Sequence, residues 1–215
     1  TTTPWTLPSN TALTIGKKIN YSFIKTYNQY TKDKITVVLA TKLIDKIFSK
    51  NFFEVKSETE LNSFDKNQSK IPFLKFHELL GEDLENINYE RIWDESPLPL
   101  DNPENAFRII SGDFVTTEDG TGIVHTAPTF GADDYKAAKN ANPEVPPLQV
   151  FDKNGNKVPI VDLKGKFIEG IGLVSGKYVK NDYYDANSVP EKSVDVEIAI
   201  RLKELNLAFK VEKYS

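Results

Sequence analysis

The sequence contains no cysteine, no methionine and only two histidines, His77 and His125. Without thiols it forms neither disulfide bonds nor thiolate metal sites, and the two histidines are too far apart in sequence to make a local metal-binding motif. We therefore expect no metal and no cofactor. Oxygen and nitrogen groups, together with water, must carry any chemistry.

An excess of basic residues is also missing. The 31 acidic and 27 basic residues leave a formal net charge of −4. Proteins that hold long nucleic-acid backbones usually present basic faces that displace counterions. If RNA is a partner, we therefore expect the chain to contact a short terminus and to leave most of the binding to another part of a complex.

Long apolar runs are absent as well. No stretch approaches the roughly 20 residues that a membrane span needs, and the N-terminus lacks the basic-then-apolar layout of a secretory signal. We expect a cytoplasmic protein with no membrane partner. The hydrophobic fraction of 39%, with 13 Phe and 9 Tyr among 215 residues, is enough for a core. Because the chain begins at Thr1 and has no Met, we expect residues 1–215 to be a single domain of a larger protein.

Alternating and β-branched patterns predict strands at 18–30, 34–40, 52–55, 107–110, 113–115, 122–126 and 207–214. Helical spacing predicts helices at 41–50, 133–140 and 191–205, and a helical turn at 76–80. Turn residues predict a hairpin around Asp119-Gly120 and another at 150–158. These elements indicate an α+β fold, a partly closed β-barrel-like sheet with peripheral helices.

One candidate functional segment, residues 1–10, reads TTTPWTLPSN. Its hydroxyls and the Asn10 amide stand beside prolines that keep the backbone out of a regular helix. Such groups can bind a carbonyl oxygen, a ribose hydroxyl or a water molecule. A threonine-rich stretch with no binding role is the alternative, and residues 1–10 taken alone favour it.

A second candidate segment, residues 120–135, combines Gly-Thr-Gly with His125 and the acids Asp133 and Asp134. A single histidine in a strand is more often structural than catalytic. Pro128 is expected to end the strand, however, and binding residues are common near strand ends. The acids begin a predicted helix, where they fit helix capping and a substrate cation equally well. His77 has no such neighbours, so we expect it to be structural or exposed.

Together and in this order, the two segments resemble the editing domain, a connective-peptide insertion, of isoleucyl-tRNA synthetase, a class I enzyme. Related domains of valyl and leucyl synthetases share the Thr-rich region and the GTG-x-V segment. The sequences PWTLPSN (4–10) and HTAP (125–128) favour the isoleucyl branch. The resemblance covers essentially the whole chain, with a looser match in the middle.

The resemblance implies hydrolysis of the ester between a wrong amino acid, chiefly valine, and the isoleucine tRNA. The valyl adenylate is a second candidate substrate. The expected partners are the 3′ end of this tRNA and the rest of the parent synthetase. A module that binds the aminoacyl-tRNA end or the adenylate without hydrolysing it is the alternative.

The resemblance also implies roles for individual residues. Asp134 is expected to bind the α-ammonium group of the aminoacyl moiety. Thr1, Thr2 and Thr3 are expected to contact the ester, the terminal adenosine and the hydrolytic water, and Asn10 to support their loop.

For His125, the resemblance implies a pocket wall that excludes isoleucine and orients the ribose, with a general-base role left open. Phe130 is expected to be another wall. Here the sequence reads Thr129-Phe130-Gly131 where Gly-His-Gly is commoner in the family, so a mechanism with a second histidine is in doubt. The expected catalytic residues are Thr2, Thr3, His125 and Asp134.

Overall fold

The structure is a computed structural model, and it describes residues 1–212. In this part of the chain, the strands are β1 (Ala12–Ile15), β2 (Asn20–Tyr27), β3 (Lys34–Ala40), β4 (Phe52–Glu54), β5 (Ile71–Leu80), β6 (Arg108–Ser111), β7 (Ile123–Thr126), β8 (Val150–Phe151) and β9 (Lys157–Val158). The α-helices are α1 (Ile44–Ile47), α2 (Glu58–Asn62), α3 (Ala132–Asn140) and α4 (Val194–Glu204). Among the 3₁₀ helices, Pro4–Ser9 matters most for the site.

A four-stranded sheet has the order β3-β2-β5-β4. β2 is antiparallel to both neighbours, and its pairing with β5 shifts register between Phe23 and Ile24. One face of this sheet is buried, because its large apolar side chains pack together with those of the segment before β4. The buried residues of this cluster include Tyr21, Ile24, Leu39, Phe48, Phe52, Ile71 and Phe73.

A three-stranded sheet has the order β6-β1-β7 and carries the candidate site. The central strand β1 is parallel to β6 and antiparallel to β7, so that Leu13 lies opposite His125. The two larger sheets are linked where the Ala40 N–H, at the end of β3, donates to the Thr121 carbonyl at 2.8 Å. No sheet of the described chain closes on itself.

The C-terminal part packs α4 against loops and the β8-β9 hairpin. Ser193 caps α4 by accepting a hydrogen bond from the Val196 N–H. Helical spacing places the apolar positions of α4 on one face, in a cluster that also contains Leu7 of the first segment. The buried residues of this cluster include Leu7, Trp93, Leu148, Ile160, Phe167, Ile171, Val194, Ile198 and Leu202.

The structure confirms the α+β fold with helices outside the sheets, and most of the predicted elements. The strands at 18–30, 34–40, 52–55, 107–110 and 122–126 are present, although some are shorter than predicted. So are the hairpin at 150–158 and the helices at 133–140 and 191–205. The helix predicted at 41–50 is reduced to a 3₁₀ turn, Thr41–Leu43, and the short α1.

Four predictions are wrong. Residues 76–80 are the end of strand β5, where pairing with β2 overrides the local pattern that suggested a helical turn. Residues 113–115 form no strand, and β6 and β7 make no hairpin because β1 lies between them. The segment 207–212 is not a strand; its carbonyls at 208 and 209 accept hydrogen bonds from Asn28 and Gln29 side chains instead. The remainder of the strand predicted at 207–214 lies outside the described residues.

Helices in residues 1–212 are all too short or too polar to cross a membrane.

Candidate functional site

The site is built around the C-terminal end of β7. The strand ends at Thr126, two residues before Pro128, so the prediction that His125 lies near a strand end is confirmed. From this end the chain turns through residues 127–131 into α3. Backbone bonds from the Phe130 and Gly131 N–H groups to the Ala127 carbonyl, at 2.9 and 3.3 Å, shape the turn. The strand and the helix thereby bring His125 and Asp134 to one region.

Residues 1–10, called the Thr-rich segment from here on, and the adjoining Thr11 are hydrogen-bonded to the same strand end. The Thr11 N–H donates to the Thr126 carbonyl at 3.0 Å. The Asn10 amide donates to the carbonyls of Ala12 and Thr126, at 2.7 and 3.3 Å, and its oxygen accepts from the Tyr89 hydroxyl at 2.5 Å. Both donors of the buried Asn10 amide are thus occupied by the protein. The Asn10 side chain thus joins this segment to β1, β7 and Tyr89, and its amide N–H groups are not free for a substrate.

His125 meets the Thr-rich segment through Thr6. The Thr6 hydroxyl lies 2.7 Å from Nε2 of His125 and 2.8 Å from the carbonyl oxygen of Thr3. Burial lowers the pKa of His125 to about 4, and the α-ammonium group of Thr1 contributes a smaller part of this shift. The imidazole is therefore neutral at physiological pH.

Thr1, Thr2 and Thr3 lie ahead of the 3₁₀ helix Pro4–Ser9. Thr1 and Thr2 are exposed and Thr3 is partly buried. The Thr1 hydroxyl accepts a hydrogen bond from the Thr3 N–H at 3.0 Å. Within residues 1–212, the hydroxyls of Thr2 and Thr3 have no hydrogen-bond partner, and Thr3 does not cap the helix with its side chain. These two hydroxyls are free to contact a ligand.

Asp134 lies in the first turn of α3 and is partly buried. Its Oδ2 accepts a hydrogen bond from the Ala127 N–H at 2.9 Å, which attaches the helix to the end of β7. In the described part of the chain, Oδ1 has no hydrogen-bond donor. Burial, opposed by the Ala127 bond and reinforced by Asp133, raises the pKa of Asp134. A cation bound at Oδ1 would therefore be stabilised by the carboxylate and would in turn keep it ionised.

Phe130 packs on the Thr-rich segment. Its ring meets the Trp5 ring edge to face, with 4.9 Å between centroids, and both are partly buried against the C-terminal cluster. The turn after β7 and the 3₁₀ helix Pro4–Ser9 are thereby held together by an aromatic pair. The structure thus brings Phe130 to the same region as Thr3 and His125.

A cavity of about 900 Å³ lies elsewhere in the described chain. It is lined by Lys17, Gly112 and the α3 residues Asp133 and Lys136, and it includes neither His125 nor Asp134. Its lining mixes acidic and basic groups. The candidate site is therefore a surface region between the Thr-rich segment and α3, outside this cavity. Within residues 1–212, no cluster of three or more potential ligands from His, Cys, Asp and Glu has the geometry of a metal site.

Sequence reasoning gave Thr6 a hydroxyl but no role, and it overlooked Trp5, Tyr89 and Asp195. The Trp5 N–H donates to Oδ1 of Asp195 at 2.8 Å, across 190 residues of sequence. These contacts join distant parts of the chain, so no local pattern indicates them. The available signal was that Trp5 and Thr6 lie within the recognised motif PWTLPSN.

Comparison with known proteins places the chain in a family. It is 44% identical over 225 residues to the isoleucine–tRNA ligase of Cytophaga hutchinsonii and 45% identical over 231 residues to that of Bacteroides fragilis YCH46. Each alignment covers 100% of this chain and 19% of the ligase. The ligase of Picrophilus torridus is 35% identical over 213 residues, which cover 99% of this chain and 15% of that protein. No protein-family model matches the chain.

The fold also has a solved counterpart. The crystal structure of GlLeuRS-CP1 superposes with a TM-score of 0.53 at 14% identity, over 99% of this chain and 82% of that one. At this identity the likeness concerns the fold alone. The chain spans about a fifth of the length of the ligases that it matches. It therefore belongs to the isoleucyl-tRNA synthetase family, as a segment with the fold of the CP1 editing domain.

Proposed function

We propose that this chain hydrolyses the ester bond between a wrong amino acid, chiefly valine, and the isoleucine tRNA. The observation that carries the proposal is the hydrogen bond between Thr6 and His125. It joins the Thr-rich segment to the strand end from which the turn to Asp134 starts. Hydroxyls for the ester, a wall for the side chain and a carboxylate for the ammonium group thus come together in one region.

A hydrolytic site of this kind is needed because a binding pocket alone discriminates poorly between isoleucine and valine. A pocket that fits isoleucine loses about 1–3 kcal/mol of binding free energy when one methylene is missing, and isoleucyl-tRNA synthetases are themselves the usual example of this limit. A second, smaller site that admits valine and excludes isoleucine multiplies the discrimination. We propose the region between the Thr-rich segment and α3 as that second site.

Asp134 is the proposed anchor for the α-ammonium group. One carboxylate oxygen is already fixed by the Ala127 N–H, so the direction of the other is set before the substrate arrives. Partial burial reduces competition from water for this oxygen. The charge of the ammonium group would offset the cost of keeping the carboxylate ionised there.

His125 is proposed as a wall of the pocket. General bases work best when their pKa lies near the working pH, and the pKa of His125 lies well below it. Its Nε2 is also already engaged by Thr6. A neutral, fixed ring is suited to limiting the size of the amino-acid side chain and to bonding a ribose hydroxyl.

The hydrolytic step is proposed to use water directly. Thr2 and Thr3 offer free hydroxyls, and Thr2 also has a backbone N–H without a hydrogen-bond partner in residues 1–212. Such donors can polarise the ester carbonyl and place the attacking water. A free ribose hydroxyl of the tRNA can help to position this water. The carbonyl is attacked without a covalent intermediate on the protein, and valine and the tRNA leave.

The test is the release of valine from valylated isoleucine tRNA by this chain. Release above the rate without protein is expected. The rival interpretation, a module that only binds the aminoacyl end or the adenylate, predicts no release. It also predicts binding of a valyl-adenosine analogue in which an amide replaces the ester, with changes in the NMR signals of Asp134. If the analogue also fails to bind, both interpretations are wrong for this chain.

A further inference from the structure

Helix α4 reaches the Thr-rich segment through one hydrogen bond. Oδ1 of Asp195, in the first turn of α4, accepts from the Trp5 backbone N–H at 2.8 Å. The position of Trp5 at the start of the 3₁₀ helix explains why this donor needs an external partner. Pro4 has no N–H, the Thr3 side chain makes no cap, and the N–H groups at a helix start have no partner within the helix.

The acceptor stands on a rigid support. α4 is capped by Ser193, and its Val194 and Ile198 are buried in the C-terminal cluster. Acids in a first turn usually face their own helix N-terminus or solvent. Asp195 is instead half-buried against another segment. Burial raises its pKa, while the Trp5 N–H and Lys180 act in the opposite direction.

Trp5, whose backbone N–H bonds Asp195, is also held in place by its side chain. The Trp5 ring packs against Phe130, which belongs to the turn between β7 and α3. The next residue, Thr6, bonds both His125 and the Thr3 carbonyl. A shift of the Trp5 backbone would therefore move Thr3 relative to His125, because only Pro4 separates Thr3 from Trp5.

We propose that Asp195 is a positioning residue of the hydrolytic site, holding Thr2 and Thr3 in place through the Trp5 N–H. This inference rests on the proposed function. Asp195 touches no substrate in this proposal. Its effect is on where the free hydroxyls lie when the ester binds.

Two substitutions of nearly equal size test the proposal in the full chain. Asp195→Asn keeps an oxygen that accepts from Trp5, whereas Asp195→Leu removes the acceptor. With valylated isoleucine tRNA, we expect Asp195→Leu to lower kcat about ten- to a hundred-fold, as small misplacements of reacting groups do. KM should change less than three-fold, roughly, because Asp134 and Phe130 are untouched. Asp195→Asn should restore most of the lost kcat.

A matched control lies two residues further along, in the same first turn of α4. Glu197 pairs with Lys177 at 2.7 Å and, in the described residues, makes no hydrogen bond to the Thr-rich segment. Glu197→Gln therefore removes an acid from α4 and should leave kcat unchanged. If Asp195→Leu does not fold, Asp195→Ala takes its place. A folded variant without the acceptor that keeps the wild-type kcat overturns the proposal, as does an equal loss in Glu197→Gln.

NMR separates this inference from the proposed function. In Asp195→Leu, the amide signals of Trp5, Thr2 and Thr3 should shift, whereas in Asp195→Asn and Glu197→Gln those of Thr2 and Thr3 should stay near their wild-type positions. If the wild-type chain releases no valine, the proposed function fails. The spectra still decide whether Asp195 positions the segment, since unmoved Thr2 and Thr3 signals in Asp195→Leu contradict it.

Discussion

The hydroxyl of Thr6 lies 2.7 Å from Nε2 of His125 and, on its other side, 2.8 Å from the Thr3 carbonyl. The carbonyl has no proton, so the hydroxyl donates to it. The oxygen of Thr6 is then left to accept from His125, which requires the proton on Nε2. This arrangement assigns the neutral tautomer of His125 and leaves Nδ1 as its acceptor.

Removing the Thr6 hydroxyl should therefore destabilise the chain. Thr6→Val keeps the shape but leaves the partly buried Nε2–H of His125 unpaired, which costs about 1–3 kcal/mol. Urea unfolding should show this loss in the free energy of unfolding. Thr11→Val is the matched control, since the buried Thr11 hydroxyl has no partner in the described residues, and its removal should be neutral or stabilising. Equal losses in the two variants would contradict the assigned bond.

The low pKa of His125 predicts a pH dependence of stability. Burial lowers the pKa of this imidazole from 6.5 to about 4. The unfolded chain thus takes up a proton at a higher pH than the folded chain. The free energy of unfolding should fall between pH 6.5 and 4 by at most on the order of 3 kcal/mol from this group.

The comparison with His125→Gln isolates this effect. Asp134 and Asp195, whose pKa values are raised by burial, act in the opposite direction and are present in both proteins. Urea unfolding at pH 7 and pH 4.5 should show a larger loss of stability in the wild type than in the variant. Equal losses would mean that His125 takes up its proton as readily in the folded chain as in the unfolded chain.

Much of the fold was predictable because local patterns and tertiary structure agree. Helix α4 follows its apolar spacing, with Ile198 and Leu202 buried, and α3 begins at its acids. Strand β1, Ala12–Ile15, was missed. Its central place between β6 and β7 comes from pairing with segments about 100 residues away, which no local pattern encodes.

In the candidate site, too, some residues are recognisable from local sequence and others are not. His125 and Asp134 belong to a recognisable motif, and the structure brings them to the same region. The supports of the Thr-rich segment come from Tyr89 and Asp195, far away in sequence. Each looks locally like an ordinary loop tyrosine or first-turn acid. Their roles depend on which backbone groups they meet in the folded chain.

If His125 limits the size of the pocket, shortening it should remove the discrimination against isoleucine. His125→Ala is expected to release isoleucine from isoleucyl-tRNA at a rate approaching that for valine. Measuring release from both esters checks this. His77→Ala, at an exposed position of β5, should leave the cognate ester intact. If His125→Ala also leaves isoleucyl-tRNA intact, the His125 ring does not limit the size of the pocket.

The anchor role of Asp134 predicts a loss of valyl-tRNA hydrolysis in Asp134→Ala. A hydrogen bond to a charged group contributes about 1.5–3 kcal/mol, so a fall of about ten- to a hundred-fold is expected. Asp134→Asn keeps an acceptor for the Ala127 N–H but loses the charge, and it should be nearly as inactive. Its neighbour Asp133 is exposed and lines the other cavity, so Asp133→Ala should remain active. Near-normal turnover in Asp134→Asn would remove the anchor role.

Gly131 provides a separate test of the same carboxylate. Its φ of −111° suits any residue, but a Cβ added there would lie 2.8 Å from Cγ and 2.9 Å from Oδ2 of Asp134. Because the obstructed atoms belong to a movable side chain, Gly131→Ala should fold while displacing the carboxylate. We expect KM for valyl-tRNA to rise about ten-fold, as when a charged hydrogen bond is weakened. In the Asp134→Ala background the same change should have no further effect. An additive loss there would show that Gly131 acts on the site without Asp134.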